Sequence, residues 1–533
     1  MGLLQPVGGA GEPSLGTSFF LHFFLQFLHR MRVMLARTYT ATTIGLKTLK
    51  IDVEVDGNRG APILVFIGLT SKATDEAKER ITSALQNCGI RIRSKRTIVN
   101  LAPADVPKTS AAFDVAIAVG LLKMYGELTL NTNNTMFFGE LSLAGDLKRI
   151  RGALPLVIAA KALGFRHVII PKANWPEVSI ISGIQVHPLT HLREYLEFAK
   201  AGETLPTQQP QKFLPATTQN EIDFAEIYGQ IQAKRALTIA AAGGHNILMT
   251  GPPGTGKSML AKAFTSILPP LTEKEAVEVT RIYSICGLTI NGLIHTRPFR
   301  SPHHTISQIG LIGGGNSLKP GEISLAHHGV LFLDELLEFP HQNLESLRQP
   351  LEDRIISISR ANGTLTYPAA FCLVAAANPC PCGYYNSKLK SCSCEKYLVD
   401  RYQRRLSGPL LDRIDLRIHV PEVEVEKLID ENSLTTSRTS TDFRTQVIAA
   451  RERQHLRYKN MPFSTNIDLT SKELHSFCHF TDEAKKVLHQ SISQLQLSAR
   501  SYFKIMKISQ TIADLENAEI INEVHVGEAL QYR

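Results

Sequence analysis

The chain is 533 residues long, 43% hydrophobic and 20% charged, with 58 Lys+Arg against 49 Asp+Glu for a formal charge of +9. That length suggests roughly three domains of about 150 residues, and the balance is that of a folded globular chain, which excludes a disordered or collagenous one. The mild basic excess permits a polyanionic partner without establishing it, and eight Cys in so long a chain do not make a disulfide scaffold.

Residues 1–33 contain one membrane-like run, Phe19 to Leu28, interrupted by His22 and Gln26. It is too short to span a bilayer, which takes about 20 apolar residues, and it lacks the basic n-region and cleavage site of a signal peptide. The expectation is a non-native extension ahead of a natural start at Met34, with no membrane association and a cytoplasmic location.

Residues 34–201 read as an α/β domain. Ile51-Asp-Val-Glu-Val55 alternates as a half-buried strand, and Ile63 to Ile67 reads as a fully buried one. Helical patterns follow over Thr74 to Cys88, Asp114 to Met124 and Gly152 to Leu163. Residues 202–222 are polar, rich in Pro and Gln, and aperiodic, as a linker should be. A second α/β domain covers 223–430. A loop is expected over 434–442, and the remainder of 431–533 is helical in pattern.

The second α/β domain carries the chemistry. Gly251-Pro252-Pro253-Gly254-Thr255-Gly256-Lys257-Ser258 is a complete phosphate-binding loop, placed between a strand (246–250) and a helix (259–268). Glycines let backbone N–H groups wrap phosphates, the helix N-terminus favours their charge, Lys257 reaches the β and γ oxygens, and Ser258 offers a hydroxyl to Mg²⁺. Val330-Leu-Phe-Leu-Asp334-Glu335 is an apolar strand ending in two carboxylates, the first suited to the Mg²⁺ shell and the second to polarising water. A third strand, Phe371 to Ala377, ends at Asn378, an amide able to orient that water or the γ-phosphate.

This order of loop, Asp-Glu strand and Asn-ended strand resembles an AAA+ ATPase. Tyr228-Gly-Gln230, Ala240-Ala-Ala-Gly-Gly-His245-Asn246, Ser301-Pro-His-His-Thr305, Pro320 to His327, Asn378-Pro-Cys-Pro-Cys-Gly383 and Ser407 to Asp415 narrow the resemblance to the magnesium-chelatase-like AAA+ family of the ComM (YifB) type, over residues 34 to 530. The resemblance implies a multidomain α/β chain: a Lon-protease-like N-terminal α/β domain, an AAA+ P-loop NTPase α/β core and a C-terminal helical lid. It implies ATP and Mg²⁺ as cofactors and a homo-hexameric ring that drives branch migration while single-stranded DNA is integrated in natural transformation. Single-stranded and branched DNA are the implied partners, with recombination proteins beside them.

The resemblance also assigns single residues. Arg413 matches an arginine finger entering a neighbour's site, with Arg404 and Arg405 as weaker matches, any of the three being otherwise a surface salt bridge. Arg500 matches the sensor-2 arginine of the lid, closing over the γ-phosphate; Lys504 and Ser509-Gln510 stand where Arg and Ala-Arg are expected. Arg354 to Tyr367 reads as a hairpin resembling a pore element, which makes Arg360 either a DNA phosphate contact or an exposed edge residue. The Gly310 to Gly315 segment, preceded by Arg297, Arg300, His303 and His304, resembles a second pore insert. The His pair lacks a third ligand at a fixed offset and reads as loop histidines.

Cys380, Cys382, Cys392 and Cys394 form two C-x-C pairs that could hold a structural Zn²⁺ or stay as free thiols. In the N-terminal domain the position of the Lon nucleophile falls at Ala112, with Ser110 close by, and the partner-lysine position is occupied by Leu154 or Leu156. A Ser/Lys dyad needs an amine to take the hydroxyl proton, so proteolysis is not expected. A chelatase motor subunit and a protein-remodelling ATPase are the rival readings.

Overall fold

The computed structural model describes residues 35–533 other than 59, 62, 69–70, 91–95, 105, 107, 109–110, 129, 217–221, 290–291, 316–317, 361–362, 388–389 and 423–437. The expected extension 1–33, Ser110, part of the linker and the boundary near 430 lie outside the described residues. The chain forms two compact units, one built from Lys47–Gln211 with the strand before it, the other essentially Lys212–Arg533.

In the first unit a mixed sheet has the order β3-β4-β2-β1-β5-β8-β9. Its strands are β1 (Leu35–Ile44), β2 (Lys47–Asn58), β3 (Leu64–Ile67), β4 (Arg96–Ala102), β5 (Thr135–Phe137), β8 (His167–Pro171) and β9 (Gln185–Leu189). A small hairpin, β6 (Glu140–Leu141) and β7 (Leu147–Lys148), follows β5. Ile51, Val53 and Val55 of β2 are buried while Asp52 and Glu54 face outward, as the alternation requires. They meet Ala77, Ile81 and Leu85 of α1 (Ser71–Asn87) and the almost wholly buried α2 (Asp114–Met124). Leu154 and Leu156 of α3 (Ala153–Ala162) are also buried, and α4 (Leu192–Ala201) closes the unit.

One expectation fails here. Ile63 to Ile67 reads as a buried strand, yet among the described residues β3 is the sheet edge, paired with β4 alone, and Ile63 and Ile67 are half exposed. A continuous apolar run indicates burial on both faces only where neighbours flank the strand on both sides.

The second unit is built on a five-stranded parallel sheet in the order β11-β14-β17-β10-β18. The strands are β10 (Ile247–Thr250), β11 (Phe299–Arg300), β14 (Val330–Leu333), β17 (Cys372–Ala377) and β18 (Leu416–His419). Two short strands, β12 (Gly313–Gly314) and β13 (Lys319–Pro320), pair with each other, as do β15 (Ile355–Arg360) and β16 (Gly363–Pro368), the expected hairpin.

Side chains alternate between two cores. Ile247, Met249, Phe332, Val374 and Ala376 face one, with α5 (Ile231–Gly243) and α6 (Lys257–Ile267); Leu248, Leu331, Leu333, Leu373 and Ala375 face the other. A further helix, α7 (Glu273–Cys286), carries a Thr272 capping box. A sheet covered on both faces needs such runs of Val, Ile, Leu and Ala.

The C-terminal helices are α8 (Ser440–Arg457), α9 (Ser471–Phe477), α10 (Asp482–Leu495), α11 (Ala499–Leu515) and α12 (Glu523–Gln531). They share the first of those cores through Val447, Ala450, Ile505, Ile508, Ile512 and Val526. The loop expected over 434–442 gives way at its end to helix. Thr439 caps α8 with Asp442 as the reciprocal partner, and the Ser440 hydroxyl bonds Ser266 and the Phe224 amide. Gly243 belongs to the Ala-Ala-Ala-Gly-Gly-His stretch for a steric reason. A Cβ there would lie 2.2 Å from His245 Nε2 and 2.6 Å from the Thr511 hydroxyl, which hydrogen-bond each other and so tie the turn after α5 to α11. No helix of the described residues is long and apolar enough to cross a membrane.

Asp514 anchors this helical region. Its buried carboxylate accepts from Arg457, from Asn466 Nδ2 at 2.9 Å and from Gln510 Nε2 at 3.2 Å. Asp514→Ala strips the Arg457 guanidinium of its carboxylate and should cost about 3 kcal/mol. The expected readout is a lowered midpoint in the unfolding transition of the second unit, with that of the first unchanged.

Candidate functional site

Parallel strands bring their C-terminal ends to one edge, and the three candidate motifs sit there together. Thr250 of β10 pairs with Ala377 of β17, and Leu333 of β14 with Ala375, so Gly251, Asn378, Asp334 and Glu335 emerge side by side. The Gly251 amide bonds the Ala377 carbonyl at 3.2 Å, fixing the first glycine against the strand that ends in Asn378.

Between β10 and α6 the loop is shaped by its glycines. Gly254 and Gly256 have φ of +79° and +86°, which side chains disfavour, and a Cβ on Gly251 would stand 2.3 Å from the Val420 carbonyl. Lys257 folds back into the loop, donating to the Gly251 and Pro252 carbonyls at 2.8 and 2.7 Å, while the Thr255 hydroxyl donates to Pro252 O at 3.0 Å. Ser258 Oγ donates to Asp334 Oδ2 at 2.7 Å. A hydroxyl and a carboxylate in contact at the mouth of a phosphate loop are the donor set a magnesium ion takes, so the residues fit a Mg–nucleotide complex.

Glu335 occupies a left-handed backbone position, φ 49°, and its side chain is half exposed. Its Oε2 lies 3.4 Å from His304 Nδ1. The pair His303-His304 thus places one imidazole beside a candidate catalytic carboxylate, and no grouping of metal-ligating side chains among the described residues includes either.

A second residue gains a place here. Gln230, at the start of α5, donates to the Thr255 carbonyl at 3.4 Å and to Pro421 O at 2.7 Å, tying α5 to the phosphate loop. Next to it a cavity of about 400 Å³ is lined by Gly229, Ile231, Lys234, Thr238 and Phe443. The Tyr-Gly-Gln stretch pointed to Gln230 as a family signature; only the fold shows what it touches.

Arg413 and Arg500 lie at the other end of the sheet. Asn246, just before β10, donates to the Arg413 carbonyl at 3.2 Å, and its own amide bonds Asp415 at 2.9 Å. Both guanidinium groups pair with one carboxylate, Glu352, Arg500 at 3.0 Å and Arg413 through a short contact. No sequence signal singles out Glu352 among the acids around it. Arg405 forms an exposed ion pair with Glu338 at 3.4 Å and Arg404 is exposed. Lys504 serves the fold: its ammonium donates to Ile414 O at 2.8 Å, and burial lowers its pKa to about 8. Ser509 and Gln510 are buried in the helical core.

The four clustered cysteines converge, all four sulfurs lying within 4.8 Å of one another. A second ligand-like group, Glu278 with His327 and His328, is a hydrogen-bonded cluster. His327 Nδ1 accepts from the Ala370 amide at 3.1 Å, which leaves the proton on Nε2, pointing at Glu278. Arg360 is the last residue of β15. In the first unit Ala112 lies in a short 3₁₀ turn, buried and without a nucleophile, and the buried Leu154 and Leu156 bring no amine.

Three family descriptions match the chain: "Magnesium chelatase, subunit ChlI" over residues 223–428, "Subunit ChlI of Mg-chelatase" over 53–174 and "Magnesium chelatase, subunit ChlI C-terminal" over 437–533. Competence protein ComM of Haemophilus influenzae is 41% identical over 506 residues, 94% of this chain and 97% of that protein. YifB of Escherichia coli is 39% identical over 501 residues, 94% and 97% of the two chains. The DNA replication licensing factor mcm2 of Schizosaccharomyces pombe is 25% identical over 342 residues, 57% of this chain and 37% of that protein.

Burial lowers the pKa of Lys257 to about 8, with the Asp334 carboxylate pulling the other way. Only the ammonium form attracts phosphate, and the proton leaves as pH rises through that value. The affinity of the free protein for a nucleoside triphosphate should therefore be flat below pH 8 and fall above it. Lys257→Met should bind weakly with no such dependence, as isothermal titration across pH 6.5 to 9.5 (about the span needed to bracket the value) would show.

Proposed function

The chain belongs to the magnesium-chelatase ChlI-like family that includes competence protein ComM and YifB, and on that footing we propose an ATP-driven, Mg²⁺-dependent DNA motor. In this reading the protein is a cytoplasmic hexameric branch-migration helicase that promotes integration of transforming single-stranded DNA. One observation carries the ATPase: the 2.7 Å approach of Ser258 Oγ to Asp334 Oδ2 at the mouth of a glycine-shaped loop, flanked by Glu335 and Asn378.

Ser258 and Asp334 would hold Mg²⁺, which would supply neutralisation of the phosphate charge. Lys257 exchanges its loop carbonyls for phosphate oxygens. Gly251 through Gly256 present backbone N–H groups to the phosphates, and the start of α6 adds its dipole. Glu335 accepts a proton from the attacking water, and Asn378 orients that water from the adjoining strand. The cavity beside Gln230 and Ile231 takes the base.

Arg413 and Arg500 sit at the opposite ends of the strands from their own phosphate loop, which supports action on a neighbour's nucleotide. In a ring the Glu352 that holds both would present them together. An arginine so placed offsets charge on the transferred phosphoryl group.

The DNA assignment is supported by the name of the competence relative and the partial likeness to a replication licensing factor. The hairpin β15–β16 is proposed to line the pore, with Arg360 on DNA phosphate. Residues 34–201 form the Lon-protease-like domain, without proteolysis; 223–430 form the ATPase core, with 431–533 as its lid. The family description also favours a second reading, a chelatase motor acting with porphyrin-binding partners.

Single-stranded and branched DNA should stimulate ATP hydrolysis, and the wild type should move three- and four-stranded junctions. Lys257→Ala should abolish both, and Glu335→Gln should slow hydrolysis by about 10²–10⁴. A wild type that hydrolyses ATP but never moves junctions overturns the DNA reading, and stimulation by porphyrin-binding partners alone favours the chelatase.

Arg413→Ala should lower turnover by roughly 10³-fold or more. Mixing it with Lys257→Ala should recover part of the activity, since a mixed ring contains interfaces with one intact loop and one intact arginine. No recovery would place Arg413 in its own subunit's site.

A further inference from the structure

The two C-x-C pairs follow directly on Asn378, and their sulfurs form a cage. Cys380 Sγ is 3.3 Å from Cys382 Sγ and 3.7 Å from Cys392 Sγ, and Cys382 Sγ is 3.5 Å from Cys392 Sγ. Cys394 completes a set of four within 4.8 Å, and Cys380 is fully buried. Zinc bonded to four thiolates at about 2.3 Å implies sulfur–sulfur edges of about 3.8 Å. Cystines would instead pair sulfurs two by two at about 2.05 Å. Here one sulfur approaches two others about equally, which is the pattern of a shared centre.

Four thiols packed together gain little from each other, because S–H is a weak donor and sulfur a weak acceptor. The backbone is arranged for thiolates. The Tyr385 amide points at Cys380 Sγ from 3.3 Å and the Cys394 amide at Cys392 Sγ from 3.4 Å, donors of the kind that orient metal ligands and spread their charge. A one-residue gap suffices because the chain turns sharply at Gly383, φ +86°, whose amide bonds the Cys380 carbonyl at 2.9 Å.

That turn also has a neighbour. A Cβ on Gly383 would stand 2.7 Å from both Cδ and Cγ of Pro253 and 4.0 Å from Cγ of Asn378. The cysteine loop is therefore the wall against which the phosphate loop rests, and it begins two residues after the amide at the nucleotide. Its flanks are pinned by Gln403 Nε2 to Pro379 O at 3.0 Å and by Ser387 Oγ to Glu422 at 2.6 Å.

We propose that Cys380, Cys382, Cys392 and Cys394 bind one structural zinc ion, and that the metal braces Pro253 and Asn378 so that nucleotide affinity depends on its occupancy. The thiols release their protons on binding, and no redox step is involved. The zinc site stands by itself; its coupling to nucleotide rests on the proposed ATPase reading.

The test uses the full chain. Elemental analysis of the purified wild type should give one zinc per chain, and cobalt(II) exchanged into the site should show thiolate charge-transfer and strong tetrahedral d–d absorption. Cys380→Ser with Cys392→Ser should remove both signals. Stripping zinc from the wild type with a mercurial and a chelator, followed by re-reduction, should weaken binding of a fluorescent ATP analogue roughly tenfold or more, as for a misplaced binding group, and added zinc should restore it. Iron, cystines or no metal in the wild type overturns the zinc site. Unchanged affinity in a stripped protein with native circular dichroism overturns the brace, and lost circular dichroism overturns it too by making the metal a general folding requirement. Failure of the zinc-loaded wild type to bind nucleotide sinks the ATPase reading and leaves the metal result standing.

Discussion

Parallel register governs the second unit. Ser258 and Asp334 are 76 residues apart in sequence, yet they meet at 2.7 Å because β10 and β14 both pair with β17 and all three end at the same edge. Each strand is inert alone: an apolar run with a polar residue after it. Alignment of their carbonyl ends sets hydroxyl, carboxylates, amide and glycine loop around one space. Two buried faces hold that alignment, so a slip of one residue would turn Phe332 or Leu331 into the wrong core.

The same polarity places Arg413 and Arg500 away from their own phosphate loop. Strands that point the phosphate loop one way put the residues before β18 at the opposite end, and there Glu352 gathers Arg413 and Arg500. Pairing two long cations with one acid keeps both presented to the same side. A ring of copies is the proposed arrangement that uses both ends of the sheet, and it gives the arginines a physical reason to be so far from their own loop.

The first unit follows different rules. Its sheet is mixed, one edge is half exposed at β3, and Ala112, Leu154 and Leu156 are buried in its core. Those side chains serve packing.

By itself the sequence determined whatever depends on adjacent residues. The phosphate loop, the Asp334-Glu335 pair, the helix at Asp114 and the hairpin after Arg354 were legible because glycine conformations, side-chain alternation and turn chemistry act over a few positions. The family signature carried the order of motifs, including Asn378 and the two arginines. Tertiary structure decided what depends on distance: Ile63 to Ile67 is an edge and not a centre, and Gln230 touches the phosphate loop. It turned His304 toward Glu335, and it made Glu352 the shared partner of two arginines. It also turned the cysteine pairs from a spacing into a cage resting on Pro253. Those contacts join segments whose spacing in sequence is arbitrary, and only a packed sheet with a fixed register makes them neighbours.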